Sequence, residues 1–323
     1  MRAVIVPRFG GPDVLALADV PEPHPGPGEV SVAVEFAGVN YTDVRNRRGH
    51  GLGVPPFVPG VEVSGTIREV GTGVTAFRPG QPVAAFTRGH GYAEVVLSKD
   101  IYTLPLPDGM TGRPESAAML VTVPLVLLLL RQAARVRADE LVLLHGAAGG
   151  VGSVAGQLAP RLGLRPLIGT ARDPAKAEFA RQHGYAAVFG YSDFDARILQ
   201  TSPGGVDVVL DPVGGDIRAR SFELLAPFGR LVSYSNISAE PEQAPGDEWL
   251  RARCAGHIGF SAGQLSAHSP ELLRPVLAEA VSYVASGAID LGITEVFPLD
   301  RAADAHRVFE QRAARGKLVL AVL

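Results

Sequence analysis

Apolar and polar residues alternate through the first hundred positions. Segments 30–39 (VSVAVEFAGV), 61–70 (VEVSGTIREV) and 92–100 (YAEVVLSKD) carry this alternation over strand lengths. A period of two predicts strands with one face turned to a core. Turn-forming clusters separate them: HPGPGE at 24–29, GTGV at 71–74, FRPGQPV at 77–83 and LPDGM at 106–110. Short strands so punctuated predict a compact barrel rather than βαβ units.

The pattern changes after about residue 115. Residues 115–135 are mostly apolar and predict a helix. The apolar run Met119–Leu130 inside it is too short to span a bilayer, which takes about 20 residues. The reading is a buried helix entering at Pro124. LVLLHG (141–146) then forms a continuous apolar strand, followed by a glycine turn that opens a helix. RPLIGT (165–170), AAVFGY (186–191), VDVVLDPVGG (206–215) and RLVSYSN (230–236) predict further strands. Helices are predicted between them, at 173–184 and 218–229. Apolar strands alternating with helices mean an α/β fold with a doubly wound parallel sheet covered on both faces. The last stretch adds a helix at 270–286, a strand at 293–298, a helix at 301–314 and a terminal strand from Lys317.

The chain of 323 residues is long enough for two domains. A net charge of −3 gives no field that would gather nucleic acid or an anionic membrane. The single cysteine, Cys254, excludes an internal disulfide and a thiolate zinc cluster. The apolar stretch Ala3–Pro7 is too short for a signal-peptide core, so a cytoplasmic address is expected.

The strongest motif is Ala147-Ala148-Gly149-Gly150-Val151-Gly152, placed between a strand and a helix. Glycines there let the backbone approach a pyrophosphate, and the helix N-terminus offers amides and a positive dipole end. Its competitor is a glycine turn needed only for close packing. An NAD site usually has an acidic residue at the end of the second strand. This chain has Thr170, Ala171 and Arg172 there, with Lys176 one turn on. Basic groups suit a 2′-phosphate, so NADPH is expected. The competing reading makes them solvated surface charges, and Asp173 is the one feature that argues for NAD instead, or is a helix N-cap before Pro174. Tyr191, after the third strand, is placed near the adenine or its phosphate. His145, ending the first strand of this half, reads as a hydrogen-bonded structural residue.

With these stretches in order, the chain resembles the zinc-independent medium-chain dehydrogenase/reductases of the quinone oxidoreductase branch. The resemblance rests on 28–49, 59–74, 91–96, 142–152, 169–184, 206–215 and 229–236, and runs essentially end to end. It implies a GroES-like, β-barrel-type catalytic domain (1–120), a Rossmann domain (121–258) and a return to the catalytic part (259–323). It also implies NADPH-dependent reduction of quinones or α,β-unsaturated carbonyls, commonly by homodimers. Zinc-dependent relatives carry a cysteine ligand near position 40 and a Gly-His-Glu motif. Here stand Asn40 and Gly60-Val61-Glu62, so no metal is expected.

The resemblance places Asn40-Tyr41-Thr42-Asp43-Val44-Arg45 over the nicotinamide and substrate. Asn40 and Tyr41 are the expected oxyanion donors or orienters, since charge develops on the acceptor oxygen. Tyr41 is also expected to touch the cofactor. Asp43 is assigned to the cofactor side, or to bonding backbone amides of its own loop. Asp211, Val213, Ser235, Asn236, Phe260 and Ser261 are expected cofactor contacts. Arg312 and Lys317 are expected to reach its phosphates, or else to be surface charges. Relatives often have tyrosine where this chain has Arg45, and the helix start reads Pro124-Leu125-Val126-Leu127. A fixed cation and an aliphatic wall suggest a specialised bulky or anionic enone, as in a biosynthetic enoyl reductase. Two other classes stay open: a non-redox cyclase or lyase with a structural cofactor, and a binding protein, against which the lack of a basic stripe argues.

Overall fold

The alternating segment 30–39 becomes the spine of the first sheet. In the structure, a computed structural model describing residues 1–323 apart from 52, 242 and 323, the chain first lays down β1 (Arg2–Ile5), β2 (Ala16–Asp19) and β3 (Glu29–Val39). Helix α1 (Tyr41–Arg47) follows at once, then β4 (Glu62–Val70), β5 (Pro82–Phe86), β6 (Val95–Lys99), β7 (Thr103–Pro105) and α2 (Thr122–Leu128). Next come β8 (Val142–His145), α3 (Gly150–Arg161), β9 (Ile168–Thr170), α4 (Pro174–Gln182), β10 (Ala187–Phe189) and α5 (Phe194–Thr201). They are followed by β11 (Val206–Asp211), α6 (Gly215–Glu223), β12 (Leu225–Ser233), α7 (Asp247–Arg253) and β13 (Gly256–Gly259). The chain ends through α8 (Ala262–His268), α9 (Leu273–Ala285), β14 (Ile293–Pro298), α10 (Ala302–Glu310) and β15 (Lys317–Ala321). No helix among the described residues is long and apolar enough to cross a membrane.

Two compact units result. One joins Met1–Pro124 to Ser266–Leu323, and the other is Leu125–Leu265. In the first, the strand order is β14-β15-β3-β4-β5-β7. Strand β3 also pairs β6 through residues 29–33 and β15 through residues 36–39. One long strand thus gives its two halves to different neighbours and bends the sheet around a core of Val32, Val34, Val63, Val83, Leu318 and Leu320. In the second unit the order is β10-β9-β8-β11-β12-β13, with every pairing parallel. Its strands are apolar because helices cover both faces of such a sheet. Leu143, Val209, Leu231 and Phe194 lie in that core.

Three predicted elements are shorter in the structure. The helix expected over 218–229 stops at Glu223, and Leu225–Gly229 opens β12 instead. Pro227 has no amide for a helix interior, and Phe228 takes a positive φ. The stretch 115–135 breaks into a short turn, α2 and a wider turn at Leu129–Ala133, after which Arg135 takes φ 51°. Pro124 is the third residue of α2, where its missing amide has no helical acceptor to lose. The helix expected over 301–314 ends at Glu310, and Arg312 follows at φ 56°.

Candidate functional site

The parallel-sheet unit builds a tight glycine turn and a helix N-terminus from its own backbone. Strand β8 ends at His145, and Gly146 turns the chain at φ 75°, a region open to glycine. Ala147 donates its amide to Thr170 O, and Gly149 donates to Gly146 O, which closes the turn. Helix α3 then starts at Gly150, and Ser153 donates to Gly149 O at 2.8 Å. The amides of Gly150, Val151 and Gly152 precede that first helical bond, so they point out of the helix end. A Cβ on Gly152 would lie 2.5 Å from the carbonyl oxygens of Gly146 and Ala147. The helix therefore lies directly against the turn, and only hydrogen fits there. Tyr185 donates its hydroxyl to Gly152 O at 2.9 Å and fixes the first turn from behind.

Thr170, Arg172 and Tyr191 gather beside this turn. His145 is wholly buried, bonded through Nδ1 to Thr170 Oγ1 (2.9 Å) and through Nε2 to Ser221 Oγ (2.7 Å). Burial drives its pKa down to about 4, so it is a neutral structural residue, as the residue types implied. Its ring stacks on Tyr191 at 6.1 Å. Burial pushes the Tyr191 phenol up, and hydrogen bonds to Thr170 and Gly146 with the charge of Arg172 oppose that rise. Tyr191 thus stands over the glycine turn, with exposed Arg172 near it. Lys176 is half-buried in the first turn of α4, capped by the Asp173 carboxylate accepting from Lys176 N (2.9 Å). Thr170 corrects the expectation of a cofactor ligand, because its hydroxyl is turned inward to His145 and Tyr191.

The Asp211 carboxylate is likewise engaged within the protein. It is fully buried, paired with Arg218 Nε at 2.6 Å, and accepts from Val213 N and Gly214 N. Arg218 continues to Ser235 O at 2.8 Å. Together they shape the turn that carries half-buried Val213. Asn236 spends its amide on Glu240 O and Ser238 Oγ, and Phe260 N bonds Ser233 O. Ser261 Oγ accepts from Gln264 N at the start of α8.

The first unit carries a second polar centre around α1. Lys317 Nζ contacts Asn40 Oδ1 and Glu62 Oε1, both at 2.7 Å, and Asn40 Nδ2 donates to Glu62 Oε1 at 2.9 Å. The other oxygen of Glu62 accepts from Val121 N. Asn40 is 7% exposed and Lys317 2%. One of the two alternatives at Asn40 is favoured here, and the expectation for Lys317 is revised. Both ends of the Asn40 amide are committed, so it is an orienter rather than a free oxyanion donor. Lys317 is neither a phosphate-reaching group nor a surface charge, because its ammonium neutralises a buried carboxylate. Asp43 is also wholly buried, and its carboxylate accepts from Asn40 N (2.9 Å), Gly60 N (3.1 Å) and Tyr92 OH (3.3 Å). It thus ties its own loop, through Asn40, to the turn at Gly60 and to Tyr92. Tyr41 and Arg45 are half-buried on α1, with Arg45 Nη2 donating to His50 O at 3.0 Å. Arg312 is exposed beyond α10. No cluster of three or more His, Cys, Asp or Glu side chains suited to a metal occurs among the described residues.

Residues 26–124 match the family model described as alcohol dehydrogenase GroES-like domain, and residues 183–320 the one described as zinc-binding dehydrogenase. Quinone oxidoreductase of Pseudomonas aeruginosa is 35% identical over 97% of this chain and 97% of its own. The chain belongs to the quinone oxidoreductase-like medium-chain dehydrogenase/reductases. The rat synaptic vesicle membrane protein VAT-1 homolog is 31% identical over 99% of this chain and 84% of that protein. The crystal structure of Escherichia coli quinone oxidoreductase complexed with NADPH superposes with a TM-score of 0.92 and 29% identity, each chain covered completely. A Rossmann unit and a GroES-like unit are the fold expected from the sequence.

Proposed function

We propose that the protein is an NADPH-dependent reductase of quinones or α,β-unsaturated carbonyls. The observation that carries this is the cradle formed by Gly146, Gly149, Gly150 and Gly152, with Arg172 and Lys176 rather than an acidic residue following the strand that ends at Thr170. The NADPH found with the E. coli relative supports the same cofactor. When bound, NADPH supplies the hydride. The amides of Gly150, Val151 and Gly152 would hold its pyrophosphate, Arg172 and Lys176 its 2′-phosphate, and Tyr191 the adjacent face. On the acceptor side, Tyr41 and Arg45 supply the hydrogen bond and positive charge that oppose the negative charge growing on the acceptor oxygen. Asn40, held by Glu62 and Lys317, sets the start of α1.

The test is oxidation of NADPH and NADH against a panel of quinones and enones, neutral and anionic. NADPH is expected to be preferred, and Arg172→Ala with Lys176→Ala should cost about tenfold or more in kcat/KM for NADPH and little for NADH. An unchanged preference in that double variant would remove the 2′-phosphate assignment. Binding without oxidation across the panel would instead favour a non-redox role. Should Arg45→Ala leave turnover of anionic acceptors unchanged, the cation has no part in specificity.

A further inference from the structure

A second line of buried polar groups leads to the same turn from the far side of the chain. Arg47 Nε lies 3.2 Å from His306 Nδ1, His306 Nε2 lies 3.3 Å from Tyr92 OH, and Tyr92 OH lies 3.3 Å from Asp43 Oδ2. All four residues are fully buried or nearly so. A guanidinium can only donate, so Nδ1 of His306 accepts and its proton sits on Nε2. Nε2–H then donates to Tyr92, whose hydroxyl hydrogen is left for Asp43. Every donor in the line points toward the Asp43 carboxylate. That carboxylate receives two further donors, Asn40 N–H and Gly60 N–H. The far end is anchored by Arg47 on Gly10 O and on Glu310. The tyrosine and histidine rings also meet edge to face at 5.9 Å.

We propose that Tyr92 and His306 are positioning residues for the reductase, holding the Asp43 carboxylate so that it pins Asn40 and Gly60 and fixes where α1 presents Tyr41. The inference rests on the reading of α1 as the acceptor-side element. A carboxylate with only two amide donors can rotate. The Tyr92 hydroxyl supplies the third, and the tautomer set by Arg47 fixes which way that hydroxyl points. Burial drives the Asp43 carboxyl up to about 7, and the two amides, the Lys317 charge and the Tyr92 hydroxyl restrain the rise. Loss of the hydroxyl therefore loosens the acceptor of two backbone bonds at once. Without the line, α1 still forms, but its first turn is free to tilt.

The experiment is Tyr92→Phe, which removes one oxygen and keeps the ring, with amide hydrogen exchange and steady-state kinetics measured on the full chain. Exchange at Asn40 and Gly60 is expected to speed up about tenfold or more while amides of β3 and β4 keep their protection. With an enone or quinone acceptor, kcat should fall about tenfold while KM for NADPH stays within about twofold. His306→Gln, which retains a donor and an acceptor, should lie between wild type and His306→Leu in both readouts. Uniform faster exchange across the unit, or no change at Asn40 and Gly60, would overturn the proposal. Faster local exchange with an unchanged kcat would overturn it as well. Exchange needs no turnover, so a chain that reduces nothing in the panel refutes the reductase reading separately. If His306→Leu does not fold, Tyr92→Phe alone decides.

Discussion

At the scale of single residues, this chain stabilises itself by satisfying buried charge rather than by avoiding it. Asp211 and Arg218 are both fully buried and meet at 2.6 Å. Removing one partner strands the other, whereas replacing both with apolar groups does not. Arg218→Ala is expected to lower the unfolding free energy by roughly 3–5 kcal/mol, read from denaturant midpoints. The double change Asp211→Asn with Arg218→Met should recover most of it, and a failure to recover would mean that Asp211 matters through the Val213 and Gly214 amides it holds. Such groups were only partly legible. Asp211 was visible at the end of an apolar strand, but its partner Arg218 sits in an ordinary helical pattern. Lys317, Glu62 and Asn40 are separated by up to 277 positions, and no local period links residues so far apart. A lone charge in an apolar strand, as at Glu62 or Lys317, was the one available signal.

At the scale of elements, the β8 to α3 crossover was the most legible part, because steric need and sequence coincide. Gly152 has no room for a methyl group between helix and turn. Gly152→Ala should therefore weaken NADPH binding about tenfold or more, with α3 displaced from the turn. Gly204→Ala, where an added Cβ meets nothing, is the control and should bind normally. NADPH fluorescence titration measures both, and equal affinities would show that the turn tolerates movement. Element ends were less legible than element types. Helix α6 was expected to run six residues further than it does. Its apolar residues Leu224 and Leu225 suit a helix face or a strand equally, and tertiary pairing of Leu225 with Val206 decided the matter. The strand positions on either side of the glycine turn were plain, since a buried parallel strand admits few alternatives to an apolar run.

At the scale of the whole molecule, two buried histidines set the response to acid. Burial holds His145 neutral down to about 4 and His306 down to about 3, against 6.5 when unfolded. A lowered folded pKa gives stability that is present above 6.5 and is lost as pH falls toward the folded value. Asp43 works in the opposite sense. Its pKa rises from 3.8 to about 7, so its contribution is present at low pH and is lost as pH rises through 7. At about 1.4 kcal/mol per unit for each group, the two histidines outweigh the one carboxylate. Folding stability should fall by on the order of 3 kcal/mol from pH 7 to pH 4. Denaturant midpoints at the two values check this, and an unchanged midpoint would refute the account.

The pairing of β15 with β3 also sets an order of events on the ribosome. Strand β3 emerges well before β15, yet they are neighbours inside one sheet. The parallel-sheet unit encoded between them has its own core and can condense first. Meanwhile the early half waits with a bare strand edge, a carboxylate at Glu62 without its ammonium and Tyr92 without His306. Such contacts carry a large loop-closure cost and form slowly. A chaperone that shields strand edges should therefore find its longest-lived client in nascent chains halted before residue 317, and lose it when synthesis passes β15.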